Sequence, residues 1–197
     1  MGLAGFVLVG GKSSRMGENK ALLNYSGCAL AQHVAVQVAQ AAGSVCLAGN
    51  PEIYGALGYS VIADRMVGAG PLGGVEAVLH SGAAREWNLI VACDMPALDS
   101  ASLAQLCRAV ETLRGDTDCL VPQIASGQLQ PLCALYRKRC ANAATSALRS
   151  GLRRMLDWIA LLHAEFWPVS AAGQFQNVNT PPDWAQFLND RRISPLS

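Results

Sequence analysis

Three short apolar runs, each ending in a polar or glycine-rich turn, constrain the fold of this chain more than any other feature. They are residues 3–9, 59–63 and 88–93, and the turns that follow them begin at Gly10, Asp64 and Asp94. Continuous apolar runs of this length are typical of buried parallel strands. Ligands of parallel sheets bind at the carboxyl ends of the strands, so these three turns are the first place to look for a site.

Helical patterns alternate with the apolar runs. We predict helices at 29–42, 73–81 and 100–113, with further strands at 44–47 and 118–122. Ser100 and Ser102 are candidate N-caps of the third helix. The alternation predicts an α/β fold: a Rossmann-like, three-layer open sheet of mainly parallel strands with helices on both faces.

From residue 127 the pattern changes. Residues 128–136 alternate loosely, 139–149 and 153–163 have helical patterns, and 166–169 is a candidate strand. We expect this part to form an insertion that covers the sheet. Thr180 is predicted to cap a last helix beginning at Pro181 or Pro182. Because no repeat or long linker divides the chain, we expect one domain over residues 1–197.

Composition argues against large charged partners. The formal net charge of the 197 residues is +1, which gives no strong field for nucleic acid or a membrane surface. No apolar stretch approaches the ~20 residues of a membrane span, and the pattern of the first residues leads us to expect no secretory signal. The seven cysteines form no CxxC pair, which indicates reduced thiols that fill the core. We expect a cytoplasmic protein with small-molecule partners.

The segment from Gly10 to Lys20 carries the richest chemistry. Gly10 and Gly11 let the backbone approach a phosphate closely, and Arg15 and Lys20 supply two cations. The GxxxxGK[ST] motif fails because its first glycine would fall on Phe6, and no GxGxxG is present. The plainer interpretation is a glycine turn with solvated basic residues.

Asp94 is the candidate metal ligand. It follows an apolar strand and precedes Pro96, so its carboxylate has a rigid position for a hard cation such as Mg²⁺ that bridges phosphates. The alternative is that Asp94 caps the turn before Ser100. Asp64 fits a surface ion pair as well as a nucleoside contact, and residues 70–74 fit a tight turn before a helix as well as a base-binding loop.

The spacing Leu-x-Gly-Gly-x-x-x-Arg-Met-Gly-x-x-Lys over residues 8–20 resembles the signature of the molybdenum cofactor guanylyltransferase family, often called MobA. Further pieces agree in order: Asp64, Gly-Pro-Leu-Gly-Gly at 70–74, Cys-Asp-Met-Pro at 93–96, and Asn-Val-Asn-Thr-Pro at 177–181. The resemblance covers nearly the whole chain and is weakest between residue 100 and residue 177.

The resemblance implies a nucleotide-diphospho-sugar transferase-like fold and Mg²⁺-dependent transfer of GMP from GTP to molybdopterin, with release of pyrophosphate. Proteins that deliver molybdopterin or receive the product are implied as partners. Arg15, Lys20 and Asp94 would be catalytic, and Asp94 would hold the metal. The implied binding residues are Leu8, Val9, Gly10, Gly11, Lys20, Asn50, Asp64, Gly70, Gly73, Gly74 and Asp94 for the nucleotide, with Asn177 and Asn179 on the pterin side.

Two departures from the family pattern bear on the nucleotide. Asn19 stands where an Asp is common, and Ala48 stands where an Asn usually contacts the nucleoside, with Asn50 two residues on. Cytidylyl transfer to molybdopterin and nucleotidylyl transfer to a sugar or alcohol phosphate therefore remain alternatives. A non-catalytic nucleotide-binding module is the alternative of another class.

Overall fold

A seven-stranded sheet forms the centre of the computed structural model, which describes residues 2–10, 19–169 and 172–193. Its strands are β1 (Leu3–Leu8), β4 (Val45–Ala48), β5 (Val61–Ile62), β6 (Trp87–Ala92), β7 (Cys119–Ile124), β8 (Cys133–Arg137) and β9 (Ala164–Val169). The strands lie in the order β5-β4-β1-β6-β8-β7-β9. A separate hairpin pairs β2 (Asn24–Tyr25) with β3 (Cys28–Ala29).

The sheet is parallel except at β8. Strands β5, β4, β1 and β6 are parallel neighbours, and β7 pairs parallel with β9. Strand β8 lies between β6 and β7 and is antiparallel to both. The expectation that the chain after residue 127 forms a covering insertion is wrong, because β8 and β9 are part of the sheet. The short connection from β7 to β8 permits only an antiparallel return.

Helices cover both faces of the sheet. They are α1 (Leu30–Ala42), α2 (Pro51–Tyr54), α3 (Gly70–His80), α4 (Ser100–Ala109), α5 (Ala141–Arg149), α6 (Met155–Ile159) and α7 (Pro181–Ile193). Successive β1 side chains point to opposite faces: Val7 packs in the cluster that contains α1 and α4, and Phe6 in the cluster that contains α3, α5 and α6. The predicted three-layer α/β fold is confirmed. None of the helices in the described ranges has the length and apolar character needed to cross a membrane.

Several predicted helix boundaries need correction. Helix α3 begins at Gly70 rather than at residue 73, since Pro71 fits the first turn of a helix, where a missing N–H costs nothing. The cap of α4 is Asp99, whose carboxylate accepts from the Ser102 N–H at 2.8 Å, and not Ser100 or Ser102. The helix predicted at 153–163 shortens to α6 because the chain turns into β9. The start of the last helix at Pro181 is confirmed.

Helix α1 packs so closely on β1 that no side chain fits between them at Gly5. A Cβ on Gly5 would lie 2.5 Å from the Ser44 carbonyl oxygen and 2.5 Å from Val38 Cγ1. Neither atom belongs to a long flexible side chain that can move aside. The close approach therefore requires glycine at this position.

We expect Gly5→Ala to lower the free energy of unfolding by about 2 kcal/mol, because overpacking forces backbone shifts. Urea titration followed by circular dichroism measures the change. Gly55→Ala is the matched control: Gly55 has a φ of −60°, and no side chain of another described residue beyond its chain neighbours lies within 4 Å of its ideal Cβ position. Alanine there should leave stability unchanged or slightly higher. Equal stability of both variants and the parent would contradict this account of α1 packing.

Candidate active site

A cavity of about 690 Å³ opens at the carboxyl ends of β1, β4 and β6. This is the edge at which parallel α/β sheets bind ligands, and the volume lies in the range of small-molecule sites. The predicted site residues in its wall are Leu8, Val9, Gly10, Lys20, Asp64, Gly70, Gly74 and Asp94. Gly11 and Arg15 lie outside the described residues.

Lys20 joins two distant parts of the chain inside this site. Its ammonium group lies 3.1 Å from Asp94 Oδ2 and donates to Asn179 Oδ1 at 2.9 Å. The Lys20 and Asp94 side chains are each 18% exposed, so water screens their attraction less than it screens a surface ion pair. The structure thus brings together three residues that the sequence analysis assigned separately.

The second oxygen of Asp94 leaves room for a cation. Asp94 Oδ1 is buried and has no hydrogen-bond partner among the described residues. A buried carboxylate oxygen without a donor is costly, and a hard cation satisfies it. Within the described ranges no group of three or more His, Cys, Asp or Glu side chains could hold a metal. The donor set therefore fits Mg²⁺, which binds through one or two carboxylates and takes its other ligands from phosphates and water.

Residues 177–183 lie beside Asp94 and outside the cavity wall. The Val178 N–H donates to the Asp94 carbonyl oxygen at 2.9 Å, and the Val178 side chain is buried. Asp183 Oδ2 accepts from the N–H groups of Asn179 and Thr180 at 2.9 and 2.8 Å. The hydrogen bond from the Asn179 N–H is the main reason why the pKa of Asp183 is lowered. These bonds fix the backbone that carries Asn179, whereas the Asn177 side chain is exposed.

The aromatic side chains of α7 hold this segment in place. Tyr25 of the small hairpin contacts Trp184 and Phe187 of α7 at ring-centroid distances of 5.8 and 5.4 Å. Tyr25 also packs edge-on against His33 of α1 at 4.6 Å. Neither the hairpin nor a role of His33 was predicted from the sequence. Both help to fix the position of Asn179 through α7.

The connection from β5 to α3, residues 63–69, forms another wall of the cavity. Asp64 lies close to Gly10: a Cβ on Gly10 would be 3.6 Å from Asp64 Oδ2. Partial burial raises the pKa of Asp64. Gly68 and Gly70 have φ values of +75° and +68°, which glycine adopts without strain. The glycines of this region are therefore needed for the shape of the wall.

Two predicted nucleotide-binding residues, Gly73 and Asn50, lie outside the cavity wall. Gly73 is not in the cavity wall, and a Cβ there would lie 2.7 Å from Ala69 Cβ, so Gly73 serves close packing at the start of α3. Gly74 lies in the wall, and a Cβ there would be 3.2 Å from Leu8 Cδ2. Asn50 is outside the wall and caps α2 by accepting from the Glu52 N–H at 2.9 Å.

Apart from Ala48, whose position was noted in the sequence, some wall residues gave no signal there. Ala21, Val67 and Leu132 line the cavity. They are ordinary apolar residues that contribute surface rather than charge, and Leu132 belongs to the part that was expected to cover the sheet.

Asn19 holds the chain next to the site through its side chain. Its amide group donates to the Tyr54 hydroxyl at 3.0 Å, and its side-chain carbonyl oxygen accepts from the Ala21 N–H at 3.1 Å. Asn19 thus fixes the chain immediately before Lys20.

Comparison with known proteins decides the family. The family model described as the MobA-like NTP transferase domain matches residues 5–164. The chain belongs to this family. It is therefore a nucleotidyltransferase, and the resemblance seen in the sequence motifs is confirmed.

Members of the family are similar over nearly the whole chain. A protein of Pelotomaculum thermopropionicum named "Probable molybdenum cofactor guanylyltransferase" is 36% identical, covering 91% of this chain and 88% of that protein. A protein of the same name from Opitutus terrae is 38% identical over 81% of this chain and 79% of its own length. The crystal structure of molybdopterin-guanine dinucleotide biosynthesis protein A from Archaeoglobus fulgidus has a TM-score of 0.82 and 23% identity, covering 96% and 99% of the two chains. At that identity the likeness shows the fold.

Cys93 precedes Asp94 in the cavity wall but is not a nucleophile. Burial, with a smaller effect of Asp94, raises the pKa of the Cys93 thiol to about 12. All seven cysteines are free thiols, and five of them are buried: Cys93, Cys107, Cys119, Cys133 and Cys140. Family membership and thiol burial agree with chemistry that needs no cysteine.

We expect Ellman's reagent at pH 8 to modify Cys28 and Cys46 in the folded protein and to leave the five buried thiols unreacted. A thiol with a pKa near 12 is ionised to less than about 0.1% at pH 8, and only the thiolate reacts. Unfolding in guanidinium should release all seven thiols, which provides the internal control. Mass spectrometry assigns the modified sites, and rapid modification of Cys93 in the folded state would contradict this assignment.

Proposed function

We propose that this nucleotidyltransferase transfers GMP from GTP to molybdopterin, with Mg²⁺, and releases pyrophosphate. The observation that carries the proposal is the Lys20, Asp94 and Asn179 cluster at the carboxyl edge of the sheet. The cluster combines a phosphate-binding cation, a metal-binding carboxylate and an amide from the C-terminal segment. The names of the relatives supply the substrates, and this geometry supplies compatible chemistry.

The cavity offers different surroundings to the two ends of GTP. Leu8, Val9 and Ala48 give an apolar wall for the nucleoside, and Asp64 with the turn at Gly70 offers hydrogen-bonding groups. Lys20 and Asp94 give the charged wall for the triphosphate. Gly10 and Gly11 would bring backbone N–H groups to the phosphates, and Arg15 would add a bidentate cation. In this assignment Asn50 acts through the fold of α2 rather than by touching the nucleoside.

Asp94 would hold the cation through Oδ1, the oxygen that has no donor among the described residues. Bound Mg²⁺ supplies charge neutralisation for the phosphate oxygens and for the departing pyrophosphate. Asp64 lies in the same cavity wall, and Asp64 and Asp94 are the carboxylates that the described residues offer to the nucleotide. The Lys20 ammonium bound to Asp94 Oδ2 keeps that carboxylate in one orientation.

The chemical step requires positioning more than proton transfer. An ionised oxygen of the molybdopterin phosphate forms a bond to the α-phosphorus of GTP. The bond from that phosphorus to the oxygen that bridges the α- and β-phosphorus atoms breaks. The electron pair leaves with pyrophosphate, so no general base and no covalent enzyme intermediate are needed. Lys20 and the loop amides would stabilise the charge that develops on the phosphoryl oxygens.

Asn177 and Asn179 are proposed to face the pterin. Asn177 is exposed, which leaves its side chain accessible to an acceptor substrate. The oxygen of Asn179 accepts from Lys20, while its amide N–H₂ remains capable of donating to a phosphate or a pterin carbonyl. Asn179 would thus connect the acceptor side of the site to the triphosphate side.

The direct test supplies purified protein with Mg²⁺, molybdopterin and one of GTP, CTP or ATP, and measures pyrophosphate and the dinucleotide product. A sugar 1-phosphate replaces molybdopterin in a parallel series. We expect product with GTP and molybdopterin only. Product with CTP alone would overturn the base assignment, product with the sugar phosphate would overturn the acceptor, and tight triphosphate binding without turnover would indicate a binding module.

We expect Asp94→Asn to reduce kcat by about 100-fold or more, because the neutral amide no longer attracts a cation or orients Lys20. Unfolding midpoints of variant and parent should agree, since asparagine has the same shape. Asp157→Asn is the matched control, because Asp157 lies on α6 with a side chain 50% exposed and outside the cavity wall. Near-normal magnesium-dependent turnover of Asp94→Asn would rule out the metal role of Asp94.

A further inference from the structure

Glu76 is a charged side chain in a place where an apolar one is expected. It lies on α3 among Val75, Ala77 and Val78, and its side chain is 1% exposed. A buried carboxylate loses its hydration, and its burial is costly unless donors or cations replace the water. Other groups must therefore replace the lost hydration of the Glu76 carboxylate, and the identity of those groups indicates its role.

Three groups surround the Glu76 carboxylate. The Thr145 hydroxyl of α5 donates to Oε1 at 2.7 Å, and His80 Nε2, one turn further along α3, lies 3.4 Å from the same oxygen. His80 Nε2 also lies 2.9 Å from the Thr145 hydroxyl oxygen. The third group is Arg65, whose Nη1 lies 3.6 Å from Oε1. Oε2 has no hydrogen-bond partner among the described residues.

Arg65 connects this cluster to the cavity. It follows Asp64 in the connection between β5 and α3, the segment that contributes Asp64, Val67, Gly68 and Ala69 to the cavity wall. Among the described residues this segment makes few packing contacts. Val67 is 98% exposed, Gly68 carries no side chain, and Met66 and Ala69 are the members of the segment that pack against the described core. The ion pair from Arg65 to the buried Glu76 carboxylate adds a contact that connects the segment to α3.

We propose that Arg65 and Glu76 form a positioning pair that sets the conformation of residues 64–70 and thereby the affinity of the cavity for the nucleotide. Neither residue lines the cavity, so neither needs to touch the substrate. Glu76 is held from the other side by Thr145, which gives the pair a fixed anchor on α5. This inference rests on the proposed function in one respect, because the KM measurement uses the triphosphate of the proposed nucleotidyl transfer.

The attraction between Arg65 and Glu76 can be removed without disturbing the packing around either residue. The Arg65 side chain is 50% exposed, so it can return to water when its partner is lost. Glutamine at position 76 keeps the size of glutamate and an oxygen that can accept from Thr145, but it carries no charge for Arg65. Removing one partner of a buried ion pair is strongly destabilising when the charge left behind stays buried, but here the remaining charge, Arg65, is half exposed to water. Glu76→Gln therefore removes the attraction without removing the packing.

We expect Glu76→Gln and Arg65→Ala each to raise the KM for the triphosphate about fivefold, the size expected when one partly buried ion pair is lost. The kcat should stay within about twofold of the parent and the unfolding midpoint within about 2 °C. The double variant should show no larger KM than either single variant, because both changes remove the same interaction. Hydrogen exchange of the peptide covering residues 64–69 should be faster in all three variants.

Arg154→Ala is the matched control. Arg154 also forms an ion pair, with Asp157, its side chain is 78% exposed, and it is absent from the cavity wall. Its KM and the exchange of residues 64–69 should equal those of the parent. A parent-like KM for Glu76→Gln would overturn the proposal, since Arg65 would then act without Glu76. A fall in kcat and in the unfolding midpoint at unchanged KM would also overturn the proposal, because it would indicate that the pair has a purely structural role. Absence of turnover in the parent bears on the proposed function alone, and the exchange measurement still tests the pair.

Discussion

The parallel pairing of β1 with β4 on one side and β6 on the other determines where the chemistry of this protein lies. Leu8 is in register with Ala48 of β4 and with Ala92 of β6, so the three strands end at the same level. The Val9 N–H donates to Ala48 and the Leu8 carbonyl accepts from Cys93, which extends the pairing to the first residues of the turns. Gly10 and Asp94 reach one cavity for this reason. Close packing of α1 at Gly5 and of α3 at Gly74 holds β1 from both faces.

The charges of the site depend on contacts made far along the chain. Asp94 is fixed through its backbone by Val178 and through its side chain by Lys20, and Lys20 in turn is shared with Asn179. A carboxylate held in this way presents its remaining oxygen in one direction. The same logic applies on α3, where Thr145 fixes Glu76 and Glu76 attracts Arg65. In both places a partly exposed cation connects a segment at the cavity to a carboxylate fixed by other elements.

The sequence was most informative where chemistry and local pattern coincide. Apolar runs ending at Val9 and Cys93 predicted buried strands and the edge that carries the site, because strand burial and turn polarity are local properties. The start of α3 was misplaced because glycine and proline at 70–74 favour a turn in isolation, whereas Pro71 is equally suited to the first turn of a helix. The antiparallel course of β8 and the contact of Lys20 with Asn179, 159 residues away, depend on tertiary structure and leave no local signal. Nothing was predicted for Glu76, because the burial of its carboxylate depends on packing against α5.

The segment that carries Val178 and Asn179 makes the site depend on residues that lie beyond the last strand of the sheet. Strand β9 ends at Val169, and the matched family domain ends at residue 164. Pairing of β1 with β6 aligns the strand ends without any contribution from residues 177–183. The contacts of Asp94 with Val178 and of Lys20 with Asn179 come from a segment that α7 holds against Tyr25. The sheet therefore sets the position of the cavity, and one C-terminal helix completes the contacts of its charged side chains.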